Sequence, residues 1–389
     1  MRVLFTSLPA MGHLNSILPV ALAVHRAGHA VAICTSPAFG DEIRGRGFEH
    51  LPGGAEALED FFPPEMPRYG PARAAWVARE VFAKAAPNRL MPDLERHVRE
   101  WRPDIVVRES AEFAGCVLAE KLGLPHAGIA TGSRSARTDD RRRFAPSLPE
   151  LRARHGLDPD PELAMPTRYL SISLVPPTWD GHAELPDTLH HFRYEAPASL
   201  DGASVAPPDG GRPLVLAALG TLFHRAPGLF EAIIEALGAL EIDVVAAVGR
   251  DQEDGRFASV PTNVSVLPWV PQAELLRHAS LFVTHGGFNS TKEALSQGVP
   301  LVVLPLGADQ FYTAERIEAH GLGVAVGSDV RDPATLRASA RQVLDDPAYR
   351  DRATAFAAQM AALPPLSEAV GLLERLVRDR TPIRRAELD

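Results

Sequence analysis

The sequence predicts an α/β protein built from two Rossmann-like halves. Three observations support this prediction. The chain opens with an apolar strand, a helix and a second strand; a segment rich in Pro, Gly, Ala and Ser interrupts it at 196–213; and a second series of apolar strands begins at Leu214. Such a break in composition is typical of a linker. We expect domains over 1–200 and 213–365, followed by a C-terminal helix and tail over 366–389.

Length and composition exclude several classes of protein. The chain has 389 residues, which favours two or three domains. Its formal charge of −9 and pI of about 5.9 argue against a nucleic-acid binder, which needs a basic face. Cys34 and Cys116 are too few for a disulfide framework or a thiolate metal site. The first apolar run, Val3–Phe5, is too short for a signal peptide, and no run is long enough for a membrane span. We expect a cytoplasmic monomer or homodimer without a membrane or nucleic-acid partner.

The first half opens with a βαβ pattern. Arg2–Ser7 is a short strand, a helix begins near Asn15 and runs toward Gly28, and Ala30–Thr35 is the second strand. Pro19 is acceptable in that helix because it then falls close to the first turn.

The middle of the first half is less regular. Residues 50–95 have weak periodicity and many prolines, and Pro103–Val107 and His126–Ala130 then form buried strands. The arginine-rich run Arg134–Arg143 is interrupted by aspartates, so we interpret it as a solvated loop. The pattern Asp158–Asp160 lacks a preceding strand, so it is a poor metal-site candidate.

The second half contains the most informative stretch, WVPQAELLRHASLFVTHGGFNSTKEALSQGVPLVVLPLGADQ, from Trp269 to Gln310. The apolar run Leu281–Val283 ends at Thr284-His285-Gly286-Gly287, as a buried strand entering a tight turn does. Asn289 stands where a helix N-cap belongs, and Asp309 can cap a later helix. A glycine turn that opens a helix presents N–H groups and the positive end of the helix dipole, which suits a diphosphate. The alternative is an ordinary βα turn.

These motifs closely resemble those of a known enzyme family. The stretch from Trp269 to Gln310 resembles the donor-binding signature of inverting nucleotide-sugar glycosyltransferases of GT-B family 1, which includes macrolide glycosyltransferases and UDP-glycosyltransferases. The segment GHLNSILP resembles the N-terminal signature of the same family. The resemblance implies two Rossmann-like α/β domains facing each other across a cleft, an acceptor-binding N-terminal domain and a donor-binding C-terminal domain. It also implies that the C-terminal helix packs back toward the N-terminal domain.

The resemblance assigns His13 as the catalytic base and Glu109 as its orienting partner. Relatives commonly have an aspartate at the position of Glu109, so the longer side chain leaves Glu112 as an alternative partner. A helix N-terminus disfavours the imidazolium form, so we expect His13 to be neutral and able to accept a proton. The alternatives are a histidine that only caps a turn and a surface ion pair between Arg108 and Glu109.

The resemblance also implies how a donor and an acceptor are held. Trp269 stacks on the base, Gln272 bonds it, Glu293 accepts from the ribose, and Asp309 and Gln310 bind sugar hydroxyls. The remaining predicted donor contacts are Thr221, Val270, His285, Gly287, Asn289 and Ser290. Candidate acceptor contacts, each of which is otherwise a core residue, are Met11, Phe61, Trp76, Phe82, Phe113 and Phe144.

The predicted function is transfer of a hexose, with glucose favoured, from a UDP-sugar to a hydroxyl of a polyketide, macrolide or flavonoid acceptor. Glu293 favours UDP because a carboxylate can pair with both ribose hydroxyls. No metal or other cofactor is expected. The alternatives are a dTDP-deoxysugar-using antibiotic glycosyltransferase and a non-catalytic sugar-nucleotide-binding auxiliary protein. A UDP-sugar 2-epimerase does not account for GHLNSILP, and the first turn, LPAMGHLN, lacks the Gly-x-Gly-x-x-Gly of a dehydrogenase.

Overall fold

The chain divides into two units, each built around one parallel sheet. The computed structural model describes residues 1–63, 70–132, 146–181, 185–198, 211–250, 255–327 and 329–387. The first unit comprises Met1–Leu200 and Leu363–Asp389, and the second comprises Asp201–Ala362. The predicted pair of Rossmann-like α/β folds is confirmed. The arginine-rich run 134–143 and the candidate acceptor residue Phe144 lie outside the described residues.

The first unit contains seven paired strands with helices between them. The strands are β1 Arg2–Thr6, β2 Ala30–Thr35, β3 Glu49–Pro52, β4 Ile105–Glu109, β5 His126–Ile129, β6 Leu170–Ser173 and β7 Leu189–His191. The α-helices before the linker are α1 Met11–Arg26, α2 Gly40–Gly45, α3 Pro71–Trp76, α4 Ala86–Trp101, α5 Ala114–Leu122 and α6 Leu148–Arg154. Short 3-10 turns lie at Pro37–Phe39, Leu58–Phe61, Met165–Thr167, Pro177–Asp180 and Arg385–Glu387.

The second unit repeats this alternation. Its strands are β8 Leu214–Ala218, β9 Asp243–Ala247, β10 Val264–Leu267, β11 Ala279–Thr284, β12 Leu301–Val303 and β13 Gly323–Ala325. Its helices are α7 Gly220–Phe223, α8 Leu229–Gly238, α9 Gln272–Leu276, α10 Phe288–Ser296, α11 Gln310–Ala319, α12 Pro333–Asp345 and α13 Pro347–Ala361. The last helix, α14 Leu366–Asp379, belongs to the first unit.

Both sheets change direction of growth at one strand pair. The first sheet has the order β3-β2-β1-β4-β5-β6-β7, and the second has the order β10-β9-β8-β11-β12-β13. Every paired neighbour runs parallel, so all strands of a sheet end at the same edge. The order reverses between β1 and β4 and between β8 and β11, where connections leave toward opposite faces and open a crevice. Functional side chains are therefore expected beyond the carboxyl ends of these four strands.

Helix α1 begins earlier than the sequence predicted. It starts at Met11, after an extended Ala10 that makes no side-chain cap, rather than near Asn15. His13 consequently lies in the first turn, and Pro19 lies in the helix interior rather than near its start. The cost of an interior proline is about 3 kcal/mol. The buried face of α1, from Leu14 to Val24, offsets this cost by packing into the core of the first unit.

A π-helical segment, Val77–Ala85, joins α3 to α4 in the region predicted only as irregular. Pro87 explains its position, because a proline has no N–H and its ring clashes with the carbonyl four residues earlier. The N–H of Ala86 instead donates to the carbonyl of Val81, five residues back. The Asn88 side chain donates to another carbonyl of the segment. The wider turn thus lies next to the proline that interrupts the α-helical hydrogen-bond pattern.

Helix α14 completes the core of the first unit. Its buried residues recur at helical spacing and pack with α1, and they are Leu366, Ala369, Val370, Leu373 and Leu376. No single helix among the described residues is long and apolar enough to cross a membrane. Only α13 and α14 taken together, across a bend, reach that length and composition.

Shortening Leu373 should destabilise the first unit. This side chain is fully buried in the core, so Leu373→Ala should lower the free energy of unfolding by about 2–5 kcal/mol. Leu372→Ala is the matched control, since Leu372 is only partly buried and should cost distinctly less. Urea unfolding of the full chain measures both, and equal small losses would contradict this packing role for α14.

Candidate active site

The first candidate site lies beyond the carboxyl ends of β1 and β4. His13, in the first turn of α1, is within 3.0 Å of Glu109, measured from Nδ1 to Oε1. The His13 side chain is 19% exposed, whereas the Glu109 side chain is fully buried. A carboxylate on Nδ1 fixes the tautomer that leaves Nε2 available to accept a proton.

Glu109 is held as an anion in a buried position. Burial alone would raise the pKa of its carboxyl, but His13, the N–H of Ala111 and Arg108 together hold that pKa below its usual value. Ala111 donates to Oε2 at 2.6 Å, and the hydroxyl of Thr131 donates to the same atom at 3.3 Å. Glu109 therefore has partners on both oxygens.

Glu112 is not the partner of His13. Its carboxylate accepts from the Thr6 hydroxyl at 2.5 Å and from the N–H groups of Ala114 and Gly115, so it holds the start of α5. Burial and the neighbouring Glu109 raise the pKa of Glu112. The carboxylate within 3.0 Å of the His13 ring is therefore that of Glu109, and its orienting role stays a prediction.

Four aromatic side chains share one apolar cluster, and one of them contacts His13; we call this group the aromatic wall. It consists of Phe61, Phe62, Trp76 and Phe82, which are partly buried and pack on the same small apolar cluster. The Phe82 ring, carried by the π-helical segment, meets the His13 ring edge-on with 5.4 Å between centroids.

Met11 is partly buried and packs on the core of the first unit, and its contact with an acceptor stays a prediction. Phe113 is only 1% exposed and belongs to the core beneath α5, so it is not available to an acceptor. The sequence did not single out Phe62, which follows Phe61 directly and whose ring contacts the Arg73 guanidinium.

The second candidate site lies beyond β8 and β11, at the reversal point of the other sheet. His285 follows β11 and is 7% exposed. A Cβ on Gly220 would lie 2.6 Å from its ring, and one on Gly287 would lie 2.5 Å from Nε2. Gly220 has a φ of +69°, so both space and backbone conformation require glycine there.

Burial lowers the pKa of His285 to about 4, although a hydrogen bond with the Ala218 backbone acts in the opposite direction. The imidazole is therefore neutral at neutral pH.

Helix α10 begins beside this histidine. Its N-cap is Gly287, two residues earlier than the predicted Asn289, so Asn289 and Ser290 lie within the first turn. Thr221 is exposed on α7, directly after Gly220. The first turn of a helix presents N–H donors and positive potential, so this edge is suited to an anion.

The predicted base and ribose residues also converge in the second unit. Gln272 donates from Nε2 to Oε2 of Glu293 at 2.5 Å, a pairing that the sequence did not predict. Trp269 is 37% exposed, and the guanidinium of Arg250 lies 5.4 Å from its ring centroid. Val270 is buried and anchors the segment. Arg250 follows β9, so its strand-end position was the only sequence signal that could have identified it.

Asp309 and Gln310, the predicted sugar ligands, differ in exposure and in their contacts. Asp309 is the N-cap of α11 and remains partly exposed. Gln310 is 2% exposed, and its Oε1 accepts from the N–H groups of Leu306 and Gly307. Its oxygen therefore braces the loop after β12, and the predicted contact between Gln310 and a sugar hydroxyl is not supported.

The Asp158–Asp160 pattern is used structurally. Asp160 accepts from the N–H of Met165 at 2.7 Å and lies 3.5 Å from the guanidinium of Arg168. Within the described ranges, no three His, Cys, Asp or Glu side chains are close enough to hold a metal ion.

Comparison with known proteins identifies the family. Residues 22–189 match the N-terminal domain, and residues 231–376 the C-terminal domain, of the erythromycin biosynthesis protein CIII-like (EryCIII-like) family. The L-demethylnoviosyl transferase of Streptomyces niveus is 32% identical to this chain, over 96% of this chain and 97% of that protein. The chain belongs to the EryCIII-like family of GT-B antibiotic glycosyltransferases.

Two further proteins are similar to this chain over nearly its whole length. The 3-alpha-mycarosylerythronolide B desosaminyl transferase of Saccharopolyspora erythraea is 29% identical, over 98% of this chain and 99% of that protein. The crystal structure of the glycosyltransferase VinC in complex with dTDP is 26% identical to this chain and has a TM-score of 0.76. The match covers 97% of this chain and 100% of that chain. The EryCIII-like chain is thus a glycosyltransferase that uses a nucleotide-sugar donor and a small-molecule acceptor. The preference for UDP-glucose expected from the sequence has no support among these relatives.

Protonation of His285 should weaken the second unit in acid. With a folded pKa of about 4 against the usual value of 6.5, the unfolded chain binds a proton that the folded chain does not bind. Stability is therefore lost as pH falls from the higher value toward the lower, by about 3 kcal/mol in total. His285→Asn should remove that part of the pH dependence, as measured by urea unfolding at neutral and acidic pH. The exposed His278→Asn should leave the slope unchanged, and an unchanged slope in His285→Asn would contradict the assignment.

Proposed function

We propose that this EryCIII-like glycosyltransferase transfers a deoxysugar, with inversion, from a dTDP-sugar to a hydroxyl of an apolar natural-product aglycone. The observation that carries the proposal is the 3.0 Å contact between His13 and Glu109 at the reversal point of the first sheet. A partly exposed imidazole whose Nδ1 contacts a buried carboxylate is arranged as a general base.

The proposed step is a single displacement. Nε2 of His13 removes the proton of the acceptor hydroxyl while the oxygen attacks the anomeric carbon. The bond from that carbon to the diphosphate oxygen breaks, and the electron pair leaves with the nucleotide. Glu109 stabilises the imidazolium that forms, and attack opposite the leaving group inverts the anomeric centre.

The second unit is assigned to the leaving diphosphate. Neutral His285, the hydroxyls of Thr221 and Ser290 and the first turn of α10 supply hydrogen-bond donors and positive potential. Donors of this kind stabilise the negative charge that develops on the departing oxygen without moving during the reaction. The transfer is accordingly proposed to need no divalent metal.

The pairing of Gln272 with Glu293 favours a deoxyribose in the donor. A carboxylate accepts one ribose hydroxyl on each oxygen when both oxygens face the sugar. Here the Gln272 amide already donates to Oε2 of Glu293, which suits a nucleoside with one ribose hydroxyl. VinC, whose structure contains dTDP, is a relative consistent with this choice. UDP-glucose becomes the second candidate donor.

The aromatic wall supports an apolar acceptor. Phe61, Phe62, Trp76 and Phe82 present partly buried rings on the side of His13, and such rings gain most from flat or bulky apolar ligands. An aglycone with a hydroxyl at its edge places that hydroxyl near the base. Polyketide and macrolide aglycones have these properties.

His13→Ala should lower turnover by roughly 100-fold or more, the usual scale for a general base. Affinity for dTDP should change little, because the residues assigned to the nucleotide belong to the second unit. Product formation by mass spectrometry and calorimetry with dTDP measure the two quantities, with EDTA present throughout. His25→Ala, an exposed change in the last turn of α1, is the control. Normal turnover in His13→Ala would remove this residue from the base role.

Gln272→Ala should reduce discrimination between nucleotides. The wild-type enzyme should bind dTDP more tightly than UDP and should use dTDP-deoxysugars better than UDP-glucose in a panel crossed with aglycones. Without the amide, Oε2 of Glu293 can accept from the second ribose hydroxyl, so the affinity ratio should shift toward UDP by about 10-fold, the worth of one charged hydrogen bond. Glu274→Ala on the same helix is the control. A wild-type preference for UDP, or an unchanged ratio in Gln272→Ala, would contradict this account.

A further inference from the structure

Arg108 is a buried cation at the end of β4, not the surface residue that its sequence neighbours suggest. Its side chain is 1% exposed. Nη1 donates to the carbonyls of Glu109, Ser110 and Glu112 at 3.0, 3.0 and 2.9 Å. Nη2 donates to the carbonyl of Pro166 at 2.7 Å. All four of these partners are backbone oxygens rather than carboxylates.

These contacts fix the turn from which the orienting carboxylate projects. Three carbonyls within the four residues 109–112 converge on one guanidinium nitrogen, so the backbone of this turn cannot shift without breaking them. The same turn supplies the Ala111 N–H that holds Oε2 of Glu109. The position of Oε1, the atom that meets His13, therefore depends on the Arg108 contacts.

Arg108 also supplies positive charge where two carboxylates are buried. Glu109 and Glu112 are three residues apart and are both at most 1% exposed. The Arg108 guanidinium lowers the pKa of each carboxyl and acts in the same direction on the Cys116 thiol and the His126 imidazole. His13 contacts one of these four groups, Glu109. Burying a charged group costs free energy of desolvation, so favourable interactions must offset the burial of this cation.

We propose that Arg108 is the positioning residue of the His13–Glu109 pair, acting through the 109–112 turn and through its charge. This inference rests on the proposed function of His13 as the base. It predicts that the geometry and the proton affinity of the pair both change when Arg108 is replaced, although Arg108 itself touches neither the donor nor the acceptor.

Two substitutions separate geometry from charge. Arg108→Lys keeps the charge, but one ammonium cannot reproduce the planar fork that reaches the turn and Pro166. Arg108→Met removes both the charge and the donors while keeping much of the side-chain volume. The matched control is Arg152→Met, which removes another buried arginine of the first unit, one that bonds Glu120 and the Asp158 carbonyl rather than this turn.

The test is the pH profile of kcat/KM for the folded variants, with folding checked by thermal unfolding and dTDP binding. We expect Arg108→Met to lower kcat/KM by roughly 10–100-fold. The acid limb of the profile, where activity falls as pH drops, should move to higher pH by about 0.5–1 unit, because the imidazolium form of His13 gains stability when a nearby cation is lost. Arg108→Lys should lower kcat/KM less and leave the acid limb in place. Arg152→Met should leave the acid limb in place, however much stability this variant loses.

Two results would overturn the proposal. One is Arg108→Met with a wild-type acid limb and a loss of activity no larger than that of Arg152→Met, which would make Arg108 purely structural. The other is an equal shift of the acid limb in Arg152→Met. If Arg108→Met fails to fold, the Arg108→Lys profile and an NMR titration of His13 in that variant decide the question. Full activity in His13→Ala would instead contradict the proposed function itself, which keeps the two failures distinct.

Discussion

The candidate sites depend on one constraint of parallel sheets. All strands of such a sheet end at one edge, and helices leave to opposite faces where the strand order reverses. In the first unit this point lies between β1 and β4, and it holds His13 and Glu109. In the second unit it lies between β8 and β11, and it holds Gly220 and His285. The same topology thus carries the proposed proton transfer in one unit and the proposed anion binding in the other, with different side chains at equivalent positions.

The cost of burying charge determines the chemistry of each position. Glu109 remains ionised only because its oxygens have several donors and because Arg108 lies beneath the turn. His285 has no such compensation of comparable size, so burial keeps its imidazole neutral. A neutral imidazole beside a diphosphate donates a hydrogen bond without first binding a solvent proton. Burial therefore makes one group a stable anion and the other a stable neutral donor, each suited to the role proposed for it.

Much of this organisation could be predicted from the sequence, and the exceptions share a cause. Apolar runs and glycine turns predicted the strands that precede His13 and His285, since those signals are local. The start of α1 was misplaced because Asn15 looks like a cap, whereas Ala10 begins the helix by backbone conformation alone. Gln310 was assigned to the sugar because nothing in the sequence shows that its amide faces Leu306 and Gly307. Backbone conformation and hydrogen-bond direction, which residue types alone do not specify, decided both exceptions.

The donor illustrates why a residue type is an incomplete guide to specificity. Counting the oxygens of Glu293 favours a ribose with two hydroxyls, and that count holds only for a carboxylate whose oxygens both face the ligand. Gln272, twenty-one positions earlier, changes the count by donating to one of them. In the proposed donor site, the amide and the carboxylate together recognise the nucleoside sugar, and their joint geometry presents fewer acceptors than the glutamate alone. On this proposal a change at either member alters the choice of nucleotide, because each sets what the other can offer.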